Sequence, residues 1–416
     1  MKTFKSADIL LPKDADMSKW SVVACDQYTS EPEYWEKAEE IVGNAMSTLK
    51  ITFPEAYLTK CDEQARIESI NKTMLEYMPN LAEYKNALIY LKRTMADGKI
   101  RHGIIGAVDL EDYDYNKGSD AMIRATEGTV LERIPPRVKI RENASLELPH
   151  VMLLIDDRDK TVIEPLYTKT DGKIYDFELM LGGGHAEGYL LSDAETEKVM
   201  DALTKLSDKD AFNKKYNTSG KAPMLFAVGD GNHSLATAKA CYENLKKKLS
   251  HEEAAKHPAR YALVEVVNLH DDSLEFKPIH RVVFGCEPEK LISELSEYYA
   301  QGGAFAEQKV EYCYAGTEGT VTFKAPASPL EVGNLQKFLD EYIKKNPGSS
   351  VDYIHGDDVT RRLGTEEGNI GFILPPMSKN SLFETVIADG VLPRKTFSMG
   401  EACEKRFYLE CRKIAE

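Results

Sequence analysis

The sequence predicts an α+β (mixed α/β) fold built on a mixed sheet. Strand-like and helix-like segments are interspersed through all 416 residues. "NALIYLKRTM" and "RHGIIGAVDL" flank the turn signal "ADGK", which indicates two strands joined by a tight turn. "YALVEVVNL" (261–269) is a continuous, β-branched apolar run, typical of a buried strand. Hairpin strands and a buried strand, interspersed with many helices, together indicate a mixed sheet.

In the first half of the chain, short strands are predicted at 7–11 and 20–25. Segment 31–49 predicts a helix, and its apolar residues on one face are Trp35, Ala38, Ile41, Val42 and Met46. A second helix is predicted at about 63–78, and "HVMLLIDD" (150–157) predicts a strand. "DGK" (171–173) is a hairpin signal, and "LGGGHAEG" (181–188) predicts a loop.

The second half begins with helices predicted near 193–206 and 209–215. A strand ending in "GDG" and a helix follow them, and "KPIHRVVFG" (277–285) predicts a further strand. From about 287 the predicted order is helix, two strands, helix, strand and helix. "PLEVGNLQKFLDEYIKK" is the clearest helix of this part. The length predicts two or three domains, or one core with large insertions.

Composition excludes several classes of protein. The net charge of −15 disfavours general nucleic-acid binding, because an acidic surface repels phosphate backbones. No apolar run approaches the roughly 18 residues of a membrane span, and the N-terminal segment does not resemble a secretory signal. The 7 cysteines show neither CxxC pairs nor zinc spacing. We therefore expect a cytoplasmic protein with reduced thiols.

The segment "MLFAVGDGNHSLATAK" (224–239) places glycines, a carboxylate and an imidazole between a strand and a helix. Unpaired N–H groups at a helix start attract anions, phosphate above all. Because Asp230 repels phosphate, its position indicates a metal ion or a substrate hydroxyl beside the anion. Asn232 and His233 supply directed hydrogen bonds. The alternative is a plain turn with an Asp/Asn helix cap.

Three further stretches are candidate sites. Around Glu127, segment 123–143 forms either an anion pocket with a general base or a salt-bridged helix face, and its cations are Arg124, Arg133, Arg137, Lys139 and Arg141. His280 and Arg281 either pair locally or point into a pocket. Lys395 and Thr396 form either a phosphate contact or a surface loop. "YIHGDD" (353–358) is interpreted as a helix start and not as a metal site.

Four motifs in this order resemble family 1015 of the domain-of-unknown-function series, from bacteria and archaea. They are Arg-x-x-Glu-x-Thr, Asp-Gly-x-His, Pro-x-His-Arg and Pro-x-Lys-Thr. The resemblance runs from "ILLPKDADM" to "RFYLECRKI". The family's Asp-Gly-His-His-Arg segment is similar to the signature of ParB/sulfiredoxin-like folds, in which a strand–loop–helix holds nucleotide phosphates.

This resemblance implies a ParB-like phosphate-loop core at 151–286. An N-terminal α/β region (1–150) carries Glu127, and a C-terminal α/β region (287–416) closes the site with the Lys395–Thr396 loop. One ParB-like branch consists of free-serine kinases, which phosphorylate the hydroxyl of L-serine. By resemblance Glu127 corresponds to their base, while the phosphate loop and the late segment correspond to Asp230, Gly231, His233, Lys395 and Thr396.

The chain departs from the kinase pattern at several positions. Ala125-Thr126 stands where the kinases have a residue followed by His, and Asn232 replaces the first His of the loop. Ser234 stands in place of the loop Arg, so a bidentate phosphate clamp is missing. Arg281 or Arg124 is the candidate replacement for it.

The resemblance implies a Mg²⁺-dependent small-molecule kinase with ATP, ADP or pyrophosphate as donor. Glu127, Asp230 and His233 are the predicted catalytic residues, with Asp230 as metal ligand. The predicted phosphate-binding residues are Gly229, Gly231, Asn232, Ser234, Arg124, His280, Arg281, Lys395 and Thr396. The predicted partner is a small-molecule substrate, without nucleic acid or membrane, and homo-oligomer formation stays open. Two alternatives are a ParB-like nucleotide-binding regulator and a small-ligand sensor without turnover.

Overall fold

The computed structural model describes residues 2–58, 60–128 and 134–415. The chain divides into two compact units, Met1–Leu274 with Gly400–Glu416, and Glu275–Met399. The C-terminal segment of the chain therefore belongs to the first unit, together with the N-terminal part. The predicted division at residues 150 and 286 stays a prediction.

Helices and strands alternate along the described chain, which confirms the mixed α/β class. The helices are α1 Met17–Trp20, α2 Pro32–Val42, α3 Glu63–Tyr77, α4 Ile134–Arg141, α5 Asp193–Leu206, α6 Lys209–Lys215, α7 Asn232–Lys246, α8 His251–Lys256, α9 Pro288–Tyr298, α10 Glu331–Lys345, α11 Asp357–Gly364 and α12 Lys379–Asp389. The strands are β1 Phe4–Lys5, β2 Ala7–Pro12, β3 Leu81–Ala87, β4 Ile89–Thr94, β5 Ile100–Asp109, β6 Tyr113–Asp114, β7 Ile123–Ala125, β8 Leu146–Glu147, β9 Met152–Ile155, β10 Lys173–Leu179, β11 Gly184–Leu190, β12 Phe226–Asp230, β13 Tyr261–Asn268, β14 Phe276–Phe284, β15 Gln308–Tyr314, β16 Thr317–Phe323, β17 Ser350–His355, β18 Ile370–Ile373, β19 Phe397–Met399 and β20 Arg412–Lys413.

Ten strands of the described chain form the large sheet of the first unit. Their order is β10-β11-β4-β5-β13-β9-β12-β7-β6, and β1 also pairs with β5. The hairpin half is antiparallel, whereas β12 runs parallel to β7, and β13 runs parallel to β9. Since β12 is antiparallel to β9, the end of β12 lies beside the start of β9. The sheet is therefore mixed, as predicted.

Both faces of this sheet are buried. Successive residues of β5 point to opposite faces, and Ile104 and Ile105 accordingly belong to different apolar clusters. The first cluster includes Leu203 of α5 and Leu235 of α7, and the second includes Trp35 of α2. Helices thus cover both faces of the sheet, and α5 and α7 belong to the cluster that contains Phe226 and Val228 of β12.

The second unit has its own sheet, in the order β16-β15-β18-β14-β17, with β19 paired to one end of β14. Its amphipathic helix α10 buries Leu335, Phe338, Leu339 and Tyr342. The predicted strand at 277–285 and the predicted helix at 329–345 are both confirmed. The described chain also contains β18, which the predicted order did not include.

Three local predictions are wrong. Residues 20–25 do not form a strand, because Asp16 caps a short helix that ends at Trp20. Met46 lies beyond α2, since Gly43 takes a left-handed conformation (φ 51°) and ends the helix. The hairpin signal "DGK" leads into β10 at Lys173; the hairpin turns at 180–183, and residues 184–188 of the predicted loop belong to β11. No helix in the described ranges has the length and apolar character needed to cross a membrane.

Candidate functional site

The predicted strand–turn–helix at "GDGNHS" is confirmed. β12 ends at Asp230, Gly231 turns the chain with φ 82°, and α7 begins at Asn232. A Cβ atom on residue 231 would lie 3.0 Å from the Cα of Val151, at the start of β9. The turn therefore requires glycine for its left-handed conformation and for this close approach.

The Glu127 segment and this turn lie at the same end of two parallel strands. In the register of β7 and β12, Ala125 pairs with Val228. The hydroxyl of Thr126 donates to the carbonyl of Val228 (2.6 Å), and its N–H donates to Oδ1 of Asn232 (3.2 Å). Asn232, which replaces a histidine of the kinase pattern, thus connects the two segments. Glu127 follows the end of β7 by two residues, and Asp230 is the last residue of β12, so both lie at this end of the sheet.

Asp230 is bound from two sides. Its Oδ1 accepts a hydrogen bond from the Gly231 N–H (2.9 Å), and its Oδ2 lies 3.2 Å from Nζ of Lys405. The two side chains are 22% and 15% exposed, so solvent reaches the pair. Lys405 comes from the C-terminal segment of the first unit, and the sequence analysis did not include it.

His150 lies next to this turn and is almost fully buried. Its Nε2 is 3.2 Å from Oγ of Ser234 and 3.4 Å from Oδ2 of Asp26, and its Nδ1 is 3.1 Å from Oη of Tyr408. Burial acts to lower the pKa of His150, but the Asp26 carboxylate, together with Asp230 and Glu55, outweighs burial and raises it. Burial acts to raise the pKa of Asp26, but the charge and hydrogen bond of His150, together with Gln27 and Lys405, outweigh burial and lower it. We name Asp26, His150, Asp230, Ser234 and Lys405 the turn cluster.

The basic stretch around Glu127 forms ion pairs in the described part of the chain. Arg137 of α4 pairs with Glu55, whose pKa is nevertheless raised because burial outweighs the guanidinium. Arg141 pairs with Glu147 at 2.5 Å. These contacts match the salt-bridged alternative for the stretch.

The remaining residues of that stretch take other positions. The guanidinium of Arg124 donates to the carbonyls of Ala121 (2.8 Å) and Ala222 (2.9 Å), ahead of β7 and β12. Lys139 is exposed, and Arg133 lies outside the described residues. Glu127 is half-buried. Phosphate binding by Arg124 stays a prediction.

His233 lies in the first turn of α7, is half-buried, and its carbonyl accepts a hydrogen bond from the Thr237 hydroxyl (2.7 Å). Gly229 is the penultimate residue of β12. The catalytic role of His233 and phosphate binding by Gly229 stay predictions.

Four other predicted site residues lie in the second unit. Arg281 is fully buried and donates to the carbonyls of Arg394 (3.0 Å) and Lys395 (3.1 Å). His280 accepts from the Leu374 N–H (3.0 Å) and lies 2.8 Å from Oδ1 of Asp357.

Arg281 thus positions the loop that carries Lys395 and Thr396. Lys395 is exposed and left-handed (φ 53°), and the Thr396 hydroxyl donates to the Pro393 carbonyl (2.5 Å). Phosphate contacts by these residues stay a prediction.

The described side chains provide few ligands for a metal ion. Among residues 2–58, 60–128 and 134–415, no three or more His, Cys, Asp or Glu side chains are grouped so as to hold one. Mg²⁺ is commonly bound by one or two carboxylates together with substrate phosphates. Asp230 alone fits that pattern, so Mg²⁺ stays a prediction that depends on a bound donor.

The comparisons with known proteins identify the family. The model of the family described as "Protein of unknown function (DUF1015)" matches residues 7–342. The chain belongs to this family. The predicted membership is confirmed, whereas the ParB/sulfiredoxin-like placement stays a prediction. A search of curated proteins found no match.

Several solved structures are similar to the chain at low identity. A free serine kinase mutant in complex with AMP is 11% identical, with 74% of this chain and 91% of that chain covered and a TM-score of 0.39. SbnI from Staphylococcus aureus, with a C-terminal truncation, is 13% identical, with 73% and 82% covered and a TM-score of 0.33. A conserved hypothetical protein from Pyrococcus furiosus is 13% identical, with 71% and 89% covered and a TM-score of 0.33. At these TM-scores the likenesses carry no argument about activity.

Proposed function

We propose that the protein is a phosphotransferase that moves a phosphoryl group to the hydroxyl of a small metabolite, such as free L-serine. The donor would be a nucleotide or pyrophosphate. The observation that carries the proposal is the shared edge at which β7 and β12 end. There the Glu127 segment and the glycine turn are joined through Thr126 and Asn232.

Phosphoryl transfer requires charge neutralisation, alignment and a group that accepts the hydroxyl proton. Backbone N–H groups at the start of α7 favour the donor phosphates, because the helix dipole is positive there. Glu127 would take the proton as the substrate oxygen bonds to phosphorus and the bridging P–O bond of the donor breaks. Asp230 would orient the hydroxyl, and His233 would neutralise charge on the transferred group.

Mg²⁺, when bound with the donor through Asp230, would neutralise phosphate charge. We also propose, from the resemblance alone, that Lys395 and Thr396 contact phosphate. The partner that we propose is a small molecule, in the cytoplasm.

Phosphorus NMR tests the proposal. The purified protein is incubated with Mg²⁺ and L-serine, and ATP, ADP and pyrophosphate are supplied in separate samples. A new phosphoserine resonance is the expected result, and the sample that contains it identifies the donor. Broadened donor resonances without any product would instead favour the nucleotide-binding regulator or the sensor. Sharp, unshifted resonances in every sample would refute a phosphate site.

Replacement of Glu127 by Gln tests the proposed base. We expect kcat to fall by about 10²- to 10⁴-fold, the usual contribution of a general base, with donor affinity nearly unchanged. The exposed Glu142, also replaced by Gln, is the matched control and should leave kcat at the wild-type value. Full activity of Glu127→Gln would remove Glu127 from the mechanism.

A further inference from the structure

Three consecutive carbonyl groups in the C-terminal segment are held by buried guanidinium groups. Arg93 donates to the carbonyls of Cys403 (3.0 Å) and Lys405 (3.1 Å), and Arg101 donates to the carbonyl of Glu404 (3.0 Å). Arg93 is 1% exposed and Arg101 is 3% exposed. The backbone that carries Lys405 is therefore fixed from inside the first unit.

The next residue anchors the same segment through ion pairs. Nη1 of Arg406 lies 2.7 Å from Glu265, and its Nη2 lies 2.5 Å from Glu410. Glu265 also pairs with Arg101 at 3.2 Å. Burial acts to raise the pKa of Glu265, but these guanidiniums outweigh burial and lower it. We name Arg93, Arg101, Glu265, Arg406 and Glu410 the arginine network.

The Lys405 side chain, in contrast, ends in the partly open turn cluster. Its ammonium pairs with Asp230 (3.2 Å), and its charge also contributes to the lowered pKa of Asp26. A lysine has three N–H donors on a flexible stem, so its ammonium can change partner while the backbone stays fixed. The arginine network thus fixes the backbone of a lysine whose ammonium lies beside Asp230, the last residue of β12 before the turn to α7.

We propose that Lys405 binds a phosphate group of the donor, a nucleoside phosphate or pyrophosphate, and leaves Asp230 when it does so. The proposal rests on the function proposed above and adds a residue to it. The ammonium supplies the charge that the missing loop arginine would have supplied at Ser234. Arg93 and Arg101 are positioning residues that fix the backbone of Lys405. The competing explanation is that Lys405 only neutralises Asp230.

Lys405→Met removes the charge and keeps an unbranched side chain, which is one atom shorter. Pyrophosphate, ADP and ATP are titrated into each protein, and the dissociation constants are measured by calorimetry. We expect binding to weaken by about 10- to 100-fold, as for loss of one charge-assisted hydrogen bond. Lys405→Arg should restore most of the affinity. The exposed Lys413, replaced by Met, is the matched control from the same segment and should bind as wild type.

The outcomes separate this inference from the proposed function. Wild-type affinity in Lys405→Met would overturn the role of Lys405, whether or not the wild type forms phosphoserine. Weak binding by Lys405→Met without phosphoserine from the wild type would support the role of Lys405 and exclude L-serine as the acceptor. If the wild type binds none of the three donors, both are overturned. Thermal unfolding of each variant verifies that the fold persists.

Discussion

The arginine network and the turn cluster both contain ion pairs between a carboxylate and a basic side chain, but the pairs differ in how far they are exposed to solvent. In the arginine network, the side chains of Glu265 and Arg406 are 0% and 2% exposed. In the turn cluster, Asp230 and Lys405 are 22% and 15% exposed. The two clusters are adjacent in sequence, because Lys405 and Arg406 are neighbours.

This difference determines what each pair can do. A buried charge that loses its partner retains the full cost of desolvation, so the arginine network has no accessible alternative arrangement. A partly exposed pair exchanges its partner for water or a ligand at little cost. The buried Arg406 therefore fixes the backbone, while the partly exposed side chain of the neighbouring Lys405 can reach a ligand.

Loss of a charge in the arginine network should give the largest effect on stability. Glu265→Gln leaves Arg101 and Arg406 without their shared carboxylate in the core. We expect the free energy of unfolding to fall by about 3–5 kcal/mol. Urea denaturation followed by circular dichroism measures the difference.

The matched change in the turn cluster is Asp230→Asn. It removes one partly exposed ion pair, so we expect a loss of at most about 1 kcal/mol. Equal losses in the two variants would contradict the contrast between the clusters.

The backbone of the turn itself should show an intermediate effect. Gly231→Ala forces a side chain into the left-handed region and towards the Cα of Val151, 3.0 Å from the ideal Cβ position. We expect a loss of about 1–3 kcal/mol in the free energy of unfolding. Gly220, with φ 71° and no atom within 4 Å of its Cβ position, isolates the conformational part when it is replaced by Ala. If both variants lose the same stability, the close approach to Val151 contributes nothing.

The sequence predicted those parts of the site that local signals specify. The apolar run before Gly229, the glycines and the helix formers after Asn232 indicated the strand, turn and helix in the right order. The four motifs also indicated the family that the comparison confirmed.

The rest of the turn cluster depends on pairing between distant segments. His150 reaches the turn because Asp230 pairs with Met152 in an antiparallel register, which no local pattern encodes. Lys405 reaches Asp230 because buried arginines hold its backbone, and those arginines are more than 300 positions away in sequence. A histidine directly before the apolar run 151–155 was the one available signal, and the sequence analysis interpreted it as part of a strand.

The smallest effect that we predict is a dependence of the free energy of unfolding on pH, caused by His150 of the turn cluster. His150 has a folded pKa above its ordinary value of 6.5, so its protonated form stabilises the fold at pH values below 6.5. This stabilisation is lost as the pH rises through the folded pKa. Asp26 provides most of the shift, ahead of the Asp230 and Glu55 carboxylates.

Asp26→Asn should therefore destabilise the fold more at about pH 5.5 than at about pH 8.5. The free energy of unfolding is measured by urea denaturation at both pH values. In a His150→Asn background, Asp26→Asn should lose this pH dependence, which makes the double-mutant cycle the control. A destabilisation independent of pH would mean that Asp26 and His150 are not coupled by charge.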